Sequence, residues 1–154
     1  MSVLLEIKNL RTSFFTSDGE VRAVDGVTFD IEEGKTMGLV GESGCGKSVT
    51  ALSIMQLLSK GIGRVVGGKI LYRNENLADF TEPQMREIRG NEISMIFQEP
   101  MTSLNPVFAV GEQISESVRL HQGVSAKAAR DRAIEMLEVV KIAEPRKRIK
   151  DFPH

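Results

Sequence analysis

The stretch G-L-V-G-E-S-G-C-G-K-S-V-T, Gly38 to Thr50, decides how the rest of the chain is read. Its middle, Gly41-Glu42-Ser43-Gly44-Cys45-Gly46-Lys47-Ser48, fits the pattern G-x-x-x-x-G-K-[ST]. Glycines at 41, 44 and 46 let the backbone turn tightly and bring amide N–H groups against phosphate oxygens with no Cβ in the way. The start of a following helix adds the positive end of its dipole. The Lys47 ammonium can reach β- and γ-phosphates, and the Ser48 hydroxyl can ligate Mg²⁺. Glu42, Ser43, Cys45 and Val49 complete the phosphate-binding segment. Cys45 reads equally as an exposed thiol at this site and as a small filler residue. The motif alone leaves small kinases, GTPases and transport ATPases open.

The flanks suit such a loop. Upstream, T-M-G-L-V-G reads as a short apolar strand, and a helix is expected downstream. That helix would place Val49, Leu52, Met55, Gln56 and Ser59 near one face and end at Gly61 as C′. Farther upstream, V-L-L-E-I-K-N-L reads as a strand with Leu5, Ile7 and Val3 on one face. The Ser17-Asp18-Gly19 turn signal separates it from a second strand, V-R-A-V-D-G-V-T-F-D-I, so an antiparallel hairpin or small sheet is predicted. Downstream, G-G-K-I-L-Y-R and E-I-S-M-I-F-Q read as strands. Thr81-Glu82-Pro83-Gln84 matches a capping box and predicts a short helix. Pro100 and Pro106 bracket a loop. Beyond it the pattern turns helical. Val110, Ile114 and Val118 recur every four residues. Ser125 can cap a helix whose apolar stripe is Ala126, Ala129, Ala133, Met136, Leu137 and Val140.

Bulk properties narrow the class. A chain of 154 residues is about one domain and can bury a core. Net charge is −1, from 20 basic and 21 acidic residues, which argues against a general nucleic-acid binder. A single cysteine excludes an intramolecular disulfide and fits a reducing compartment. No apolar run approaches the ~18 residues of a membrane span. Glu6 and Lys8 follow a short apolar run too soon for a signal peptide. A cytoplasmic chain is therefore expected. His121 and His154 have no metal-ligand spacing around them and read as surface or core histidines. The basic run Pro145 to Lys150 reads as a solvated helix face, and Met37, Met55 and Met95 as core.

A second motif chooses among the loop classes. Met95 to Pro106 reads M-I-F-Q-E-P-M-T-S-L-N-P, a strand ending in Gln98 and breaking into a loop. A glutamine so placed after the phosphate loop resembles the Q-loop of ABC-type ATPases. The wording F-Q-E-P-M-T-S-L-N-P resembles more closely the ATPase subunits of bacterial dipeptide/oligopeptide (and nickel-type) uptake systems. V-R-A-V-D-G-V-T-F-D-I-E-E-G-K-T-M-G-L-V-G-E-S-G-C-G-K-S and the closing D-F-P-H agree with that family. The resemblance extends over essentially the whole chain.

The resemblance implies an α/β P-loop NTPase fold of ABC type. An N-terminal antiparallel β subdomain (1–35) would precede a P-loop strand-helix core to the Q-loop (36–100) and part of a helical subdomain (101–154). It implies ATP and Mg²⁺ as cofactors, with Ser48 and Gln98 at the metal and Gln98 also at the attacking water. It implies that Phe14, beside Phe15, stacks on adenine; strand packing is the alternative. Implied partners are transmembrane permease subunits near Gln98 to Leu120 and a second ATPase subunit. The location implied is the inner face of the cell membrane. The family's L-S-G-G-x signature, Mg²⁺-binding Asp and catalytic Glu are expected beyond His154, so this chain reads as the first, truncated half of the domain. Glu42 and Glu99 are not spaced to act as the base. The chain is expected to bind nucleotide weakly, not to hydrolyse it, and to self-associate. A non-catalytic interaction fragment that keeps the permease-docking surface is the alternative, and a stand-alone P-loop kinase or GTPase is the third.

Overall fold

The hairpin signalled by Ser17-Asp18-Gly19 forms: β1 (Val3–Thr16) and β2 (Gly19–Glu32) pair antiparallel. Gly19 takes φ +125°, and the Thr16 hydroxyl donates to its carbonyl at 3.1 Å. The structure is a computed structural model that describes residues 2–99 and 103–154. Pro100, expected to open a loop, lies outside them with Met101 and Thr102. Two units are present, Met1–Arg89 and Gly90–His154.

In the first unit, β3 (Gly63–Tyr72) pairs antiparallel with the other edge of β1, and the two-residue β4 (Glu75–Asn76) closes the order β2-β1-β3-β4. Leu5 and Ile7 are buried as their spacing predicts, but Val3 is exposed. The alternation then changes phase. Asn9 takes φ 48° opposite Gly68 at φ +85°, where any Cβ would strike the Lys8 and Asn9 carbonyls. This bulge inserts one residue, so Leu10 and Thr12 turn inward. The Asn9 amide donates to the Thr28 hydroxyl at 2.9 Å.

The helix after the phosphate loop, α1 (Lys47–Ile54), is shorter than expected and buries a different face. Its buried residues are Thr50 and Ser53; Val49 and Leu52 are only half-buried. The Ser53 hydroxyl lies 2.8 Å from that of Thr12 and bonds the Val49 carbonyl at 2.7 Å. Small hydroxyls that satisfy each other let helix and strand approach without an orphaned polar atom. The helix stops at Met55 because Gln56 already takes the left-handed conformation, at φ 49°, five residues before Gly61, which is left-handed too at φ +79°. Arg89 Nε donates to the Met55 carbonyl at 2.7 Å and Nη2 to that of Gln56 at 3.1 Å. Its Nη1 holds Glu82 at 2.9 Å, and that hydrogen bond lowers the Glu82 pKa. Met55 is core; Met37 and Met95 are only half-buried. The capped helix α2 (Glu82–Ile88) forms as read, the Gln84 amide oxygen accepting from the Thr81 N–H at 2.8 Å.

Two expected strands do not join a ladder. Residues 36–41 and 94–97 are irregular, with Val40 at 89% and Ile96 at 95% exposure. A buried-type strand exists only with hydrogen-bonding neighbours on its flanks. Among the described residues neither run has a ladder partner.

The second unit contains α3 (Val110–Gln122), α4 (Ala126–Val139) and the short α5 (Pro145–Arg148). Ser125 caps α4, its hydroxyl accepting from the Ala128 N–H at 3.3 Å. Ala129, Ala133 and Leu137 are buried as predicted. Ile134 replaces Val140, which is exposed with Ala126, because α4 faces α3 and Ile149 along one narrow stripe. The run Pro145 to Lys150 is solvated, with Lys147 and Arg148 paired to Glu144 and Asp151, except that Ile149 is core. Gly111 N–H donates to the Ile149 carbonyl at 2.9 Å, and a Cβ at Gly111 would collide with Ile149. Gly111→Ala is expected to force α3 away from Ile149 and cost about 1–3 kcal/mol. A urea midpoint of the helical circular-dichroism signal equal to that of the parent chain would contradict this packing.

Candidate functional site

The glycine loop is held by one close approach. Gly46, the residue before α1, takes φ 91°. A Cβ there would run into the Ala23 carbonyl of β2 and sit 3.5 Å from Val24 Cγ2. Glycine is required twice over, for backbone conformation and for space. Gly44, at φ +82°, makes the preceding turn, which Cys45 N–H closes on the Glu42 carbonyl at 3.3 Å. A Cβ on Gly41 would lie 2.6 Å from Cys45 Sγ.

Lys47 folds over this loop. Its ammonium donates to the Gly41 carbonyl at 2.8 Å and the Glu42 carbonyl at 2.7 Å, and lies 3.4 Å from Cys45 Sγ. The positive charge therefore sits at the centre of the turn, beside the first-turn amides of Lys47, Ser48 and Val49. These amides have no intrahelical acceptor. No acidic side chain occupies that first turn. Ser48 is exposed there, and Thr50 secures the turn from within by donating to the Gly46 carbonyl at 3.0 Å. Amides, dipole and ammonium together make an anion-binding concavity.

Phe14 and Phe15 go to opposite faces of β1, as strand alternation requires. Phe14 shares the face of Thr12, which is the face α1 covers, and lies opposite Gly63 of β3. Phe15 turns the other way, with the Arg64 guanidinium 4.1 Å from its ring centroid. The first unit contains both Gly41 to Val49 and, on the helix-covered face of the sheet, Phe14, whose ring lies beside Gly63. Gln98 belongs to the second unit, where it is exposed. Of the histidines, His121 lies against Gly90 and His154 stacks with Phe152.

Among the described residues, no three His, Cys, Asp or Glu side chains are grouped to hold a metal ion. An ion here would take its ligands largely from phosphate. Mg²⁺ suits that arrangement, since it keeps waters and uses one or two protein oxygens. The exposed Ser48 hydroxyl at the start of α1 fits such a role.

Sequence reading missed the Ala23 carbonyl as the seat of the loop and Thr12 as the partner of α1. The signal was faint: Thr50 and Ser53, three apart, mark a polar stripe that periodicity of apolar residues passes over. Among the described residues, no helix is long and apolar enough to cross a membrane.

Comparison with known proteins agrees with the geometry. The pattern of the ABC transporter family matches residues 24–153. The chain is 50% identical over 152 residues to a probable peptide ABC transporter ATP-binding protein, y4tR, of Sinorhizobium fredii, covering 99% of this chain and 45% of that protein. It is 50% identical to the oligopeptide transport ATP-binding protein AppD of Bacillus subtilis, over 100% of this chain and 47% of that one. The chain thus spans about half the length of the curated relatives it matches. A solved structure, the dimeric bacterial ABC transporter cassette MJ0796, superposes with a TM-score of 0.81 at 22% identity, covering 97% of this chain and 61% of that one. At that identity the likeness establishes the fold.

Gly46→Ala is expected to unseat the loop from β2 and weaken binding of inorganic tripolyphosphate by about tenfold or more. Titration calorimetry giving the same affinity for the parent chain and a folded Gly46→Ala variant would refute this role for the contact with Ala23.

Proposed function

The chain belongs to the ABC transporter family, and from that premise we propose that it is the ATP-binding portion of an ATPase subunit that powers import of peptides or related solutes. The observation that carries the proposal is the Gly41 to Ser48 loop, seated on Ala23 and centred on the Lys47 ammonium. Backbone amides from Glu42 to Val49 take the phosphate oxygens of ATP, and Lys47 exchanges its carbonyl partners for the β- and γ-phosphates. Ser48 would hold Mg²⁺ together with those phosphates. By the family resemblance, Gln98 would contribute its amide to the metal and the attacking water, and Phe14 would receive the adenine. Mg²⁺, when bound, neutralises charge on the phosphates.

Transfer of the γ-phosphoryl group to water is mostly positioning plus charge stabilisation, and a carboxylate must orient the water. No L-S-G-G run and no apolar strand leading to an Asp-Glu pair occurs in residues 1–154. The 154-residue chain by itself therefore holds ATP weakly and does not turn it over at a useful rate. In calorimetry Mg-ATP is expected to bind the parent chain, and Lys47→Ala to lose most of that binding. A phosphate-release assay is expected to read no more than the Lys47→Ala control. Turnover abolished by Lys47→Ala would mean that a catalytic carboxylate has been overlooked.

A second reading has its own observation. The Gln113 side chain accepts from the Asn105 N–H at 2.9 Å, and donates to the Asn105 carbonyl at 2.9 Å and the Phe108 carbonyl at 3.0 Å. It thereby holds a loop on which Val107 is 70% and Phe108 51% exposed. An apolar surface kept in fixed shape suits docking of a transmembrane permease near Gln98 to Leu120, of which residues 100–102 lie outside the described set. On this reading the chain docks without binding nucleotide, and the same calorimetry separates the two. Either reading places the chain in the cytoplasm, at the inner face of the membrane, with a second ATPase subunit beside it.

Leu39, Val40, Ile96 and Phe97 are exposed on runs without a ladder partner among the described residues. Such runs accept strands from other chains. The isolated chain is expected to self-associate, with mass by light scattering rising with concentration. Val40→Lys together with Ile96→Lys is expected to suppress this. A monodisperse monomer at every concentration would count against it.

A further inference from the structure

We propose that Gly63 is a positioning residue for the base-binding half of the nucleotide site, because it leaves the space that Phe14's ring occupies; this rests on the reading of Phe14 as the adenine platform. Gly63 lies directly opposite Phe14 in the β1–β3 ladder, so the two residues share a face. A Cβ at Gly63 would sit 2.8 Å from Phe14 Cε1, 3.1 Å from Cδ1 and 3.2 Å from Leu58 Cβ. The ring therefore lies across the position where a side chain at 63 would stand.

Backbone conformation does not explain this glycine. Gly61 and Gly68 take φ +79° and +85°, values that disfavour other residues, but Gly63 is not among the positive-φ glycines. Nor is it a general feature of β3: a Cβ at Gly67 would meet Arg11 no closer than 3.5 Å, an ordinary contact. Space for an aromatic ring is what remains. A larger residue at 63 would have to rotate the Phe14 ring out of its place, since Leu58 closes the other side.

The strand end carrying Phe14 is otherwise fixed. Phe15 N–H donates to the Ile62 carbonyl at 2.8 Å, and Arg64 engages the Phe15 ring on the opposite face. The Phe14 ring is thus held on a backbone tied from both sides. Its orientation then depends on its own rotamer and on what stands at position 63. A stacking surface discriminates through its orientation, so the residue that sets the orientation sets how much the base adds to phosphate binding.

The test uses the 154-residue chain, with Mg-ATP and inorganic Mg-tripolyphosphate titrated separately into the parent, Gly63→Ala, Phe14→Ala and the double variant. Stacking of a base on an aromatic side chain corresponds to a loss of about tenfold in affinity when the ring is removed. Gly63→Ala is expected to weaken ATP by a similar factor while leaving tripolyphosphate unchanged. The double variant is expected to be no weaker than Phe14→Ala alone, because with the ring gone the added methyl has nothing to displace. If Phe14→Ala leaves the ATP-to-tripolyphosphate ratio of the parent unaltered, the adenine reading falls and the proposal with it. If Phe14→Ala lowers that ratio but Gly63→Ala does not, or if the two losses add, the adenine reading stands and the role of Gly63 is overturned. Should Gly63→Ala fail to fold, recovery of folding in the double variant supports the steric account, and failure of both overturns it.

Discussion

Everything at the candidate site depends on how closely Gly46 approaches the Ala23 carbonyl of β2. The contact fixes where α1 begins relative to the antiparallel sheet, and only a residue without a Cβ permits it. The left-handed conformation at Gly46 then aims the first-turn amides of α1 into the loop, where the Lys47 ammonium lies. Remove that approach, and the loop keeps its composition but has no fixed seat. The hydroxyl pair Thr12–Ser53 works beside it, holding the same helix to β1 without any large apolar side chain.

The far end of α1 is fixed differently. Arg89 spans the Met55 and Gln56 carbonyls and Glu82, so the helix carrying the phosphate loop is tied at its C-terminus to α2. A guanidinium suits this task because its planar fork can serve acceptors on two sides at once, which a lysine ammonium on a flexible stem does less well. The Gln56 amide reaches the Leu77 carbonyl, which joins the same helix end to the 3-10 turn Leu77–Asp79. The second unit uses the same device of a glycine at a crossing. Gly111 lets α3 meet Ile149 backbone to backbone, and the core of Ala133, Ile134 and Leu137 gathers around that point.

The two exposed apolar runs at 36–41 and 94–97 share one physical cause. Their side chains suit a strand buried on both faces, and such a strand takes its order from neighbours rather than from its own propensity. β1 illustrates the opposite case: with β2 on one edge and β3 on the other, it runs unbroken from Val3 to Thr16, through several register shifts and through polar residues.

What the sequence determined by itself was whatever local chemistry forces. The glycine spacing of Gly41 to Ser48, the turn at Ser17 to Gly19, the Thr81-Gln84 cap and the Ser125 cap each depend on residues within one or two turns of each other. Each was legible as a local pattern, although the seat of the glycine loop on Ala23 was not. The tertiary structure decided what depends on contact across the fold. The bulge at Asn9 moved burial onto Leu10 and Thr12, and β1 gave α1 a polar inner face. Arg89 took the carbonyls at the end of α1, and strand alternation put Phe14 on the helix side while Phe15 went to Arg64. Periodicity could not reveal these, because a one-residue insertion reverses every later side chain and a helix buries whatever its neighbour leaves room for.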